Sequence, residues 1–205
     1  MSGSDLIARL HIQLDDWQPI IWRRVEVPAT ATLKALHDVI QAVMPFEDYH
    51  LFEFRVDGSR YAIPDPEWDS LATPTYSAKG MKLGTPLDRG VTELAYTYDF
   101  GDDWRFTITV EAVAAADPSV EYPRFVDGEG RAPPEDVGGL PGFEHFLEVM
   151  SDPEHEEHGD LVSWHGGAFD PHDVRRDEVI RRVGKLAERR SLGRAGFAKS
   201  RNRVQ

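Results

Sequence analysis

Apolar and polar residues alternate from Leu6 to Leu14. Leu6, Ala8, Leu10, Ile12 and Leu14 fall on one face, and Ile7, Arg9, His11 and Gln13 on the other. A period of two marks a half-buried strand. Asp15-Asp16 and Gln18-Pro19 signal a turn. Ile20 to Val27 reads as a second strand closed by Pro28, and the short spacing predicts an antiparallel hairpin. The period then changes: Leu33, Leu36, Ile40, Val43 and Met44 recur at helical spacing behind Thr32. The Thr32 hydroxyl can accept an otherwise unpaired first-turn amide, and the helix must stop before Pro45. Leu51 to Val56 returns to strand and ends at Asp57-Gly58. This β-β-α-β order predicts an α+β fold in which one helix packs across a largely antiparallel sheet, by analogy with β-grasp domains.

Residues 64–88 are rich in Pro, Gly, Thr and Ser and read as a long loop or insertion. Leu94 to Phe100 and Trp104 to Glu111 form the clearest hairpin pattern, turning through Gly101-Asp102-Asp103. Pro, Gly and acidic residues then dominate up to Gly142. Three C-terminal helices follow: one carrying Phe143, Phe146, Leu147 and Met150, one over 154–164, and one marked by Val179, Ile180, Val183, Leu186 and Ala187. Phe143, Phe146, Leu147 and Trp164 are expected to build a satellite cluster. The whole reads as a single domain over 1–190, with a sheet part at 1–116 and a helical part at 140–190. Residues 191–205 read as a basic flexible tail.

Charge sharpens this division. From Arg175 to the end there are eleven Lys and Arg against three Asp and Glu, a balance of +8, which leaves −21 on the rest of the 205-residue chain. So acidic a body repels nucleic acid and anionic membrane at long range, and only the tail opposes that. With no cysteine, disulfides, thiolate metal sites and cysteine nucleophiles are excluded. No stretch is apolar enough to span a membrane, and Met1 to Leu10 lacks the pattern of a secretory signal. The expected location is the cytoplasm.

Four segments stand out together: PIIWRRVEVP (Pro19 to Pro28), FEDYHLFEFRV (Phe46 to Val56), YTYDFGDDW (Tyr96 to Trp104) and PPEDVGGLPGFEHFLE (Pro133 to Glu148). With the following DPEHEEH, and FDP at Phe169 to Pro171, they resemble the plasmid pRiA4b ORF-3-like family in the same order. The resemblance implies an α+β domain of bacteria, found near plasmid and mobile-element genes, with no established activity. Some members are labelled resolvases, but no serine-recombinase or helix-turn-helix pattern is present here. Many members carry cysteines beside the Tyr-Pro and PPEDVGG segments. Here those regions read YPRFVDGEG and RAPPEDVGG, so a thiol-dependent role is excluded.

The candidate chemistry lies in the same segments. Asp99, Asp102 and Asp103 surround a tight turn and can in principle share a divalent cation, although Asp is also an ordinary turn residue. Glu47, Asp48 and His50 offer a carboxylate beside an imidazole, the material of acid–base chemistry. His155 and His158 share a helix face, but no His-Glu-x-x-His order accompanies them. Arg23 and Arg24 must point to opposite faces of their strand, so one is covered and needs a carboxylate partner, as a structural ion pair or as an anion clamp. Glu135 and Asp136 precede a helix start. Charged residues are rarely buried alone. Trp22, Arg23, Arg24, Glu47, Asp48, Tyr49, His50, Asp99, Asp102, Asp103, Trp104, Glu135 and Asp136 are therefore expected to line one concave surface, with the aromatic residues as its walls. Replacing Arg24 or Asp102 should then abolish partner capture. The leading expectation is a non-enzymatic binding or interaction module with an unknown protein or small-molecule partner, no cofactor and no tightly bound metal. The alternatives are a metal-assisted hydrolase or nuclease using Asp99, Asp102 and Asp103, and nucleic-acid association through the basic tail.

Overall fold

The computed structural model describes residues 6–64 and 74–201, with side chains as far as residue 193. The chain opens as the patterning predicts, with β1 (Leu6–Leu14), β2 (Trp22–Pro28), α1 (Leu33–Val43) and β3 (Phe52–Val56). Thr32 caps α1, its hydroxyl accepting the Ala35 amide at 3.1 Å. Such a cap is worth about 1 kcal/mol. β4 (Ser59–Ala62), β5 (Thr75–Ser77), α2 (Gly84–Asp88), β6 (Glu93–Tyr98), β7 (Trp104–Ala115) and β8 (Arg124–Glu129) follow, and then α3 (Gly139–Ser151), α4 (His158–His165) and α5 (Arg176–Arg201).

The strands form one sheet in the order β5-β4-β3-β6-β7-β1-β2-β8. Every pairing is antiparallel except β4 with β5. Leu10 and Ile12 of β1, Val25 of β2, Phe54 of β3, Tyr98 of β6 and Phe106 of β7 are fully covered, as are Leu33, Leu36 and Ile40 of α1. Each such side chain contributes about 1.5–3 kcal/mol on removal from water. Their shared cluster fixes α1 across the sheet, and α5 lies against α1.

Four expectations need correction. Residues 64–88 are not simply loop, since among the described residues they hold β5 and α2. Backbone bonds from Leu33 to Met81 and from Leu83 to Ala31 tie this stretch to the start of α1. β8 arises from a Gly- and acid-containing segment because an edge strand needs only main-chain pairing, here with β2. Phe143 and Phe146 are no satellite: both are buried and continuous with the main core, while Trp164 is half exposed. The separation of apolar runs along the chain concealed their meeting in space, where the Phe143 ring lies 4.8 Å from Trp17. Finally, the backbone of α5 stays helical to Arg201, past the expected tail boundary at Ser191. Ala, Leu, Arg and Lys are good helix formers, and basic composition alone does not break a helix. The last four residues of that tail lie outside the described residues.

The basic C-terminal segment is engaged with the acidic body. Arg176 Nη1 donates to Asp127 at 3.1 Å. Arg182 donates to Glu47 at 3.1 Å and to the Phe46 carbonyl.

Candidate functional site

The loop from α1 to β3 is anchored by Phe46, which is buried against Tyr98 with ring centroids 5.0 Å apart. The turn between β6 and β7 lies beside it. The Asp99 amide donates to the Leu51 carbonyl at 2.9 Å, and Asp99 Oδ1 accepts the Gly101 amide at 2.9 Å. The Glu135-Asp136 segment closes over both. Glu135 accepts the Tyr98 hydroxyl at 2.6 Å and the Glu47 amide at 2.8 Å. Tyr98 also receives the Tyr49 amide at 3.1 Å. Burial, then the carboxylate of Glu135, pushes the Tyr98 phenol well above its ordinary range, so it serves as a donor.

His50 sits at the centre. Its Nε2 lies 2.8 Å from Asp136, 3.5 Å from Asp99 and 3.7 Å from Glu135. Carboxylates only accept, so Nε2 carries the proton. Asp48, Asp99 and Asp136 all have left-handed backbone, with φ of 58°, 53° and 57°. Asp is among the few residues that tolerate this region, which explains how Asp99 and Asp136 occupy tight turns that aim at His50 while Asp48 turns toward His37.

A second chain of hydrogen bonds lies beneath. His37 Nε2 is 2.7 Å from Asp48 and its Nδ1 is 2.8 Å from the Tyr96 hydroxyl. Gln41 donates to Tyr96 at 3.3 Å and accepts the Asp48 amide at 3.0 Å. Burial, followed by the nearby Lys34 charge, lowers the His37 pKa despite the opposing pull of Asp48. His37 is thus a neutral imidazole that donates to Asp48 and accepts from Tyr96. This has a consequence for stability. Below the ordinary histidine value of 6.5, the unfolded chain takes up a proton that the folded chain resists. Stability should therefore be full above about pH 6.5 and fall as the pH drops toward the lower folded value. His165, also depressed by burial, adds to the same slope. Urea midpoints between pH 7.5 and 5.5 should show this fall, and His37→Gln should flatten it. An unchanged slope in that variant would remove His37 as the cause.

Beside His50 and Asp48 opens a cavity of about 470 Å³. Its apolar walls include Leu51, Phe52, Ile63 and Phe100, and its polar edge holds Lys34, Asp48, His50 and Arg60. Leu51, Phe100 and Ile63 are 64%, 48% and 40% exposed, an unusual concentration of uncovered apolar surface.

The structure thus brings together Asp48, His50, Asp99, Glu135 and Asp136, with Glu47 and the exposed Tyr49 on the same loop. The remaining expected residues lie elsewhere. Trp22 and Arg24 occupy another part of the sheet, where Trp22 stacks on His11 at 4.9 Å and Arg24 pairs with Glu111 at 2.7 Å. Trp104 is core rather than wall. Arg23 is buried but meets carbonyls, not carboxylates. The buried ion pair of β2 belongs instead to Glu26, held by Arg9 at 2.7 Å and Arg124 at 2.5 Å. The three turn aspartates do not converge: Asp99 faces His50, Asp102 accepts the Gly138 amide at 3.1 Å, and Asp103 pairs with Arg105. A tight turn splays successive side chains, so proximity in sequence was no guide to a shared ligand. His155 and His158 also part, His158 going to the Val149 carbonyl and His155 accepting the Glu157 amide. Sequence reasoning missed Tyr98, Gln41, Leu51 and Phe100 as members of the site. Tyr98 and Leu51 lay within the segments carrying the family resemblance, but each looked like an ordinary strand residue.

Comparison with known proteins places these features in context. The family model described as plasmid pRiA4b ORF-3-like protein matches residues 6–178. An uncharacterized protein, y4hQ of Sinorhizobium fredii (strain NBRC 101917 / NGR234), is 38% identical over 162 residues, covering 79% of this chain and 82% of the relative. The crystal structure of MM3350 from Methanosarcina mazei Go1, a protein of unknown function, superposes with a TM-score of 0.74 at 38% identity, covering 83% of this chain and 96% of that one.

Proposed function

The chain belongs to the plasmid pRiA4b ORF-3-like family, and from that premise we propose that it is a ligand-binding module rather than an enzyme. The supporting observation is the cavity of about 470 Å³ whose apolar walls meet Asp48 and His50, with the three carboxylates that surround His50 lying behind the imidazole. That volume lies within the roughly 300–1,000 Å³ usual for small-molecule sites. The two cations of the lining are already paired, Lys34 with Asp38 and Arg60 with Glu53, and the three carboxylates around His50 then favour a cationic head group. The proposed ligand is a small amphipathic amine, with its apolar body against Leu51, Phe52 and Phe100 and its ammonium at the edge formed by Asp48 and His50, in the field of Asp136 behind the imidazole. The plasmid origin in the family description supports a mobile-element setting. Among the described residues no helix is long and apolar enough to cross a membrane, which fits work in the cytoplasm.

Thermal-shift titration with arylalkyl amines, and with carboxylates of the same carbon skeleton, tests this. Amines should stabilise the protein, and their carboxylate counterparts should bind at least about tenfold more weakly. His50→Ala and Asp136→Asn should lose the response. Arg24→Ala should keep it, because that partly exposed pair with Glu111 lies away from the cavity and is worth less than about 1 kcal/mol. Equal response to amines and acids, or loss in Arg24→Ala, would sink the proposal.

One observation favours a second reading. His50, Asp99 and Asp136 each present a ligand atom within 4.8 Å of the others, a donor set that suits a divalent cation better than the turn aspartates do. Stoichiometric Mn²⁺ or Zn²⁺ binding tighter than micromolar, lost in His50→Ala, would promote the metal-assisted hydrolase over the binding module.

A further inference from the structure

Arg23 is the feature the site leaves unexplained. It is fully buried in β2. Its Nε donates to the Val43 carbonyl at 2.9 Å, and its Nη1 donates to the carbonyls of Trp22 at 2.8 Å and Glu129 at 2.9 Å. Its Nη2 is buried with no hydrogen-bond partner. No carboxylate pairs with it among the described residues. Burial pushes its pKa down to about 10, so it is still a cation at neutral pH. The fold makes room for it: Gly128 lies opposite on β8, where a Cβ would come within 2.8 Å of the Arg23 Cδ.

A cavity of about 70 Å³ adjoins this guanidinium. Arg131, His165 and Arg175 also line it, and no acidic residue does. Arg131 lies with its guanidinium 4.3 Å from the centre of the Phe169 ring, and its Nη2 is 3.5 Å from His165 Nε2. Burial and the neighbouring Arg175 lower the Arg131 pKa, so the positive groups here strain against one another. The nearby acids are themselves engaged, Glu178 with one of the lining cations, which leaves Arg23 and Arg131 without a carboxylate partner among the described residues. Glu178 pairs with Arg175 at 2.7 Å, Asp170 accepts the His172 amide, and Asp173 accepts the Arg175 amide.

Concentrated positive charge around a small cavity, with one donor already desolvated and unpaired, lacks only an acceptor. We propose that this cavity binds a small oxyanion, a phosphate or sulfate group, held between the guanidinium groups of Arg23 and Arg131. The volume exceeds twice the roughly 30 Å³ share of a water molecule, enough for one oxyanion head. Arg supplies planar, always-charged donors suited to such a group. The anion would bridge β2 to the segment between β8 and α3, and Pro45 and Pro134, which also line this cavity, adjoin the segments that carry His50 and Glu135.

The test is calorimetric titration of the full chain with inorganic phosphate and with sulfate, against chloride at matched ionic strength. A phosphate monoester serves as a further arm to separate a free anion from a phosphorylated ligand. One saturable site at millimolar concentration or tighter is expected for phosphate, with no equivalent for chloride. Arg131→Gln, on the more exposed side of the cavity, should fold normally and weaken phosphate binding about tenfold or more. Arg23→Lys should weaken it as well. Because that variant risks misfolding, the side-chain ¹⁵N resonances of Arg23 in the native protein provide an independent readout, and they should shift on phosphate addition. Absence of saturable binding, equal response to chloride, or full affinity in Arg131→Gln would overturn the proposal.

Discussion

Phe143→Ala is expected to lower the stability of the whole protein by about 3–5 kcal/mol, the usual cost of truncating a buried aromatic side chain. Phe143 has no exposed surface, and it meets Trp17 from the β1–β2 connection and Phe169 from the far side of α4. Because its cluster is continuous with the core of the sheet, the sheet and the C-terminal helices should unfold in one transition. Urea titration followed by tryptophan fluorescence and by far-ultraviolet circular dichroism checks this. Coincident curves, both shifted in the variant, are the expected outcome. A variant that loses only helical signal while the sheet keeps its native midpoint would mean that the helical part is a separate unit.

The second large effect concerns Gly139. Its φ is +68°, and a Cβ there would lie 2.6 Å from the Asp102 carbonyl oxygen. Gly139→Ala therefore adds backbone strain to a steric collision with backbone, which together should cost about 2–4 kcal/mol. The collision also forces apart the two turns that carry Asp99 and Asp136, so amine binding at His50 should fall with stability. Gly138→Ala is the control. Its φ is +96°, but its Cβ would meet nothing closer than 3.6 Å, which leaves strain alone at about 1–2 kcal/mol. Denaturation midpoints that are the same for the two variants would show that the contact with Asp102 is unimportant.

Periodic patterning gave most of the architecture because β1, α1 and the β6–β7 hairpin carry strong periods over long stretches. β8 and β5 carry none. Edge strands are held by main-chain bonds, and those leave little trace in side-chain hydropathy. The site was legible in part for a similar reason. Turn aspartates next to His50 were visible, but the direction of each carboxylate depends on left-handed backbone at Asp48, Asp99 and Asp136, which no residue pattern encodes. Arg23 and Arg24 show the limit most clearly. Alternation correctly separated them onto two faces, and charge reasoning then assigned the buried one a carboxylate it does not have, because main-chain carbonyls take its Nε and Nη1 instead.

The position of β1 inside the sheet bears on how the protein is made. β1 pairs with β2 on one side and with β7 on the other. At roughly 5–20 residues per second, a ribosome delivers β7 about 5–20 s after β1. During that interval the β1–β2 hairpin and α1 can form, but one edge of β1 has no partner. A strand synthesised first and covered late makes the nascent chain, more than the finished protein, the stage most open to edge-to-edge pairing between copies.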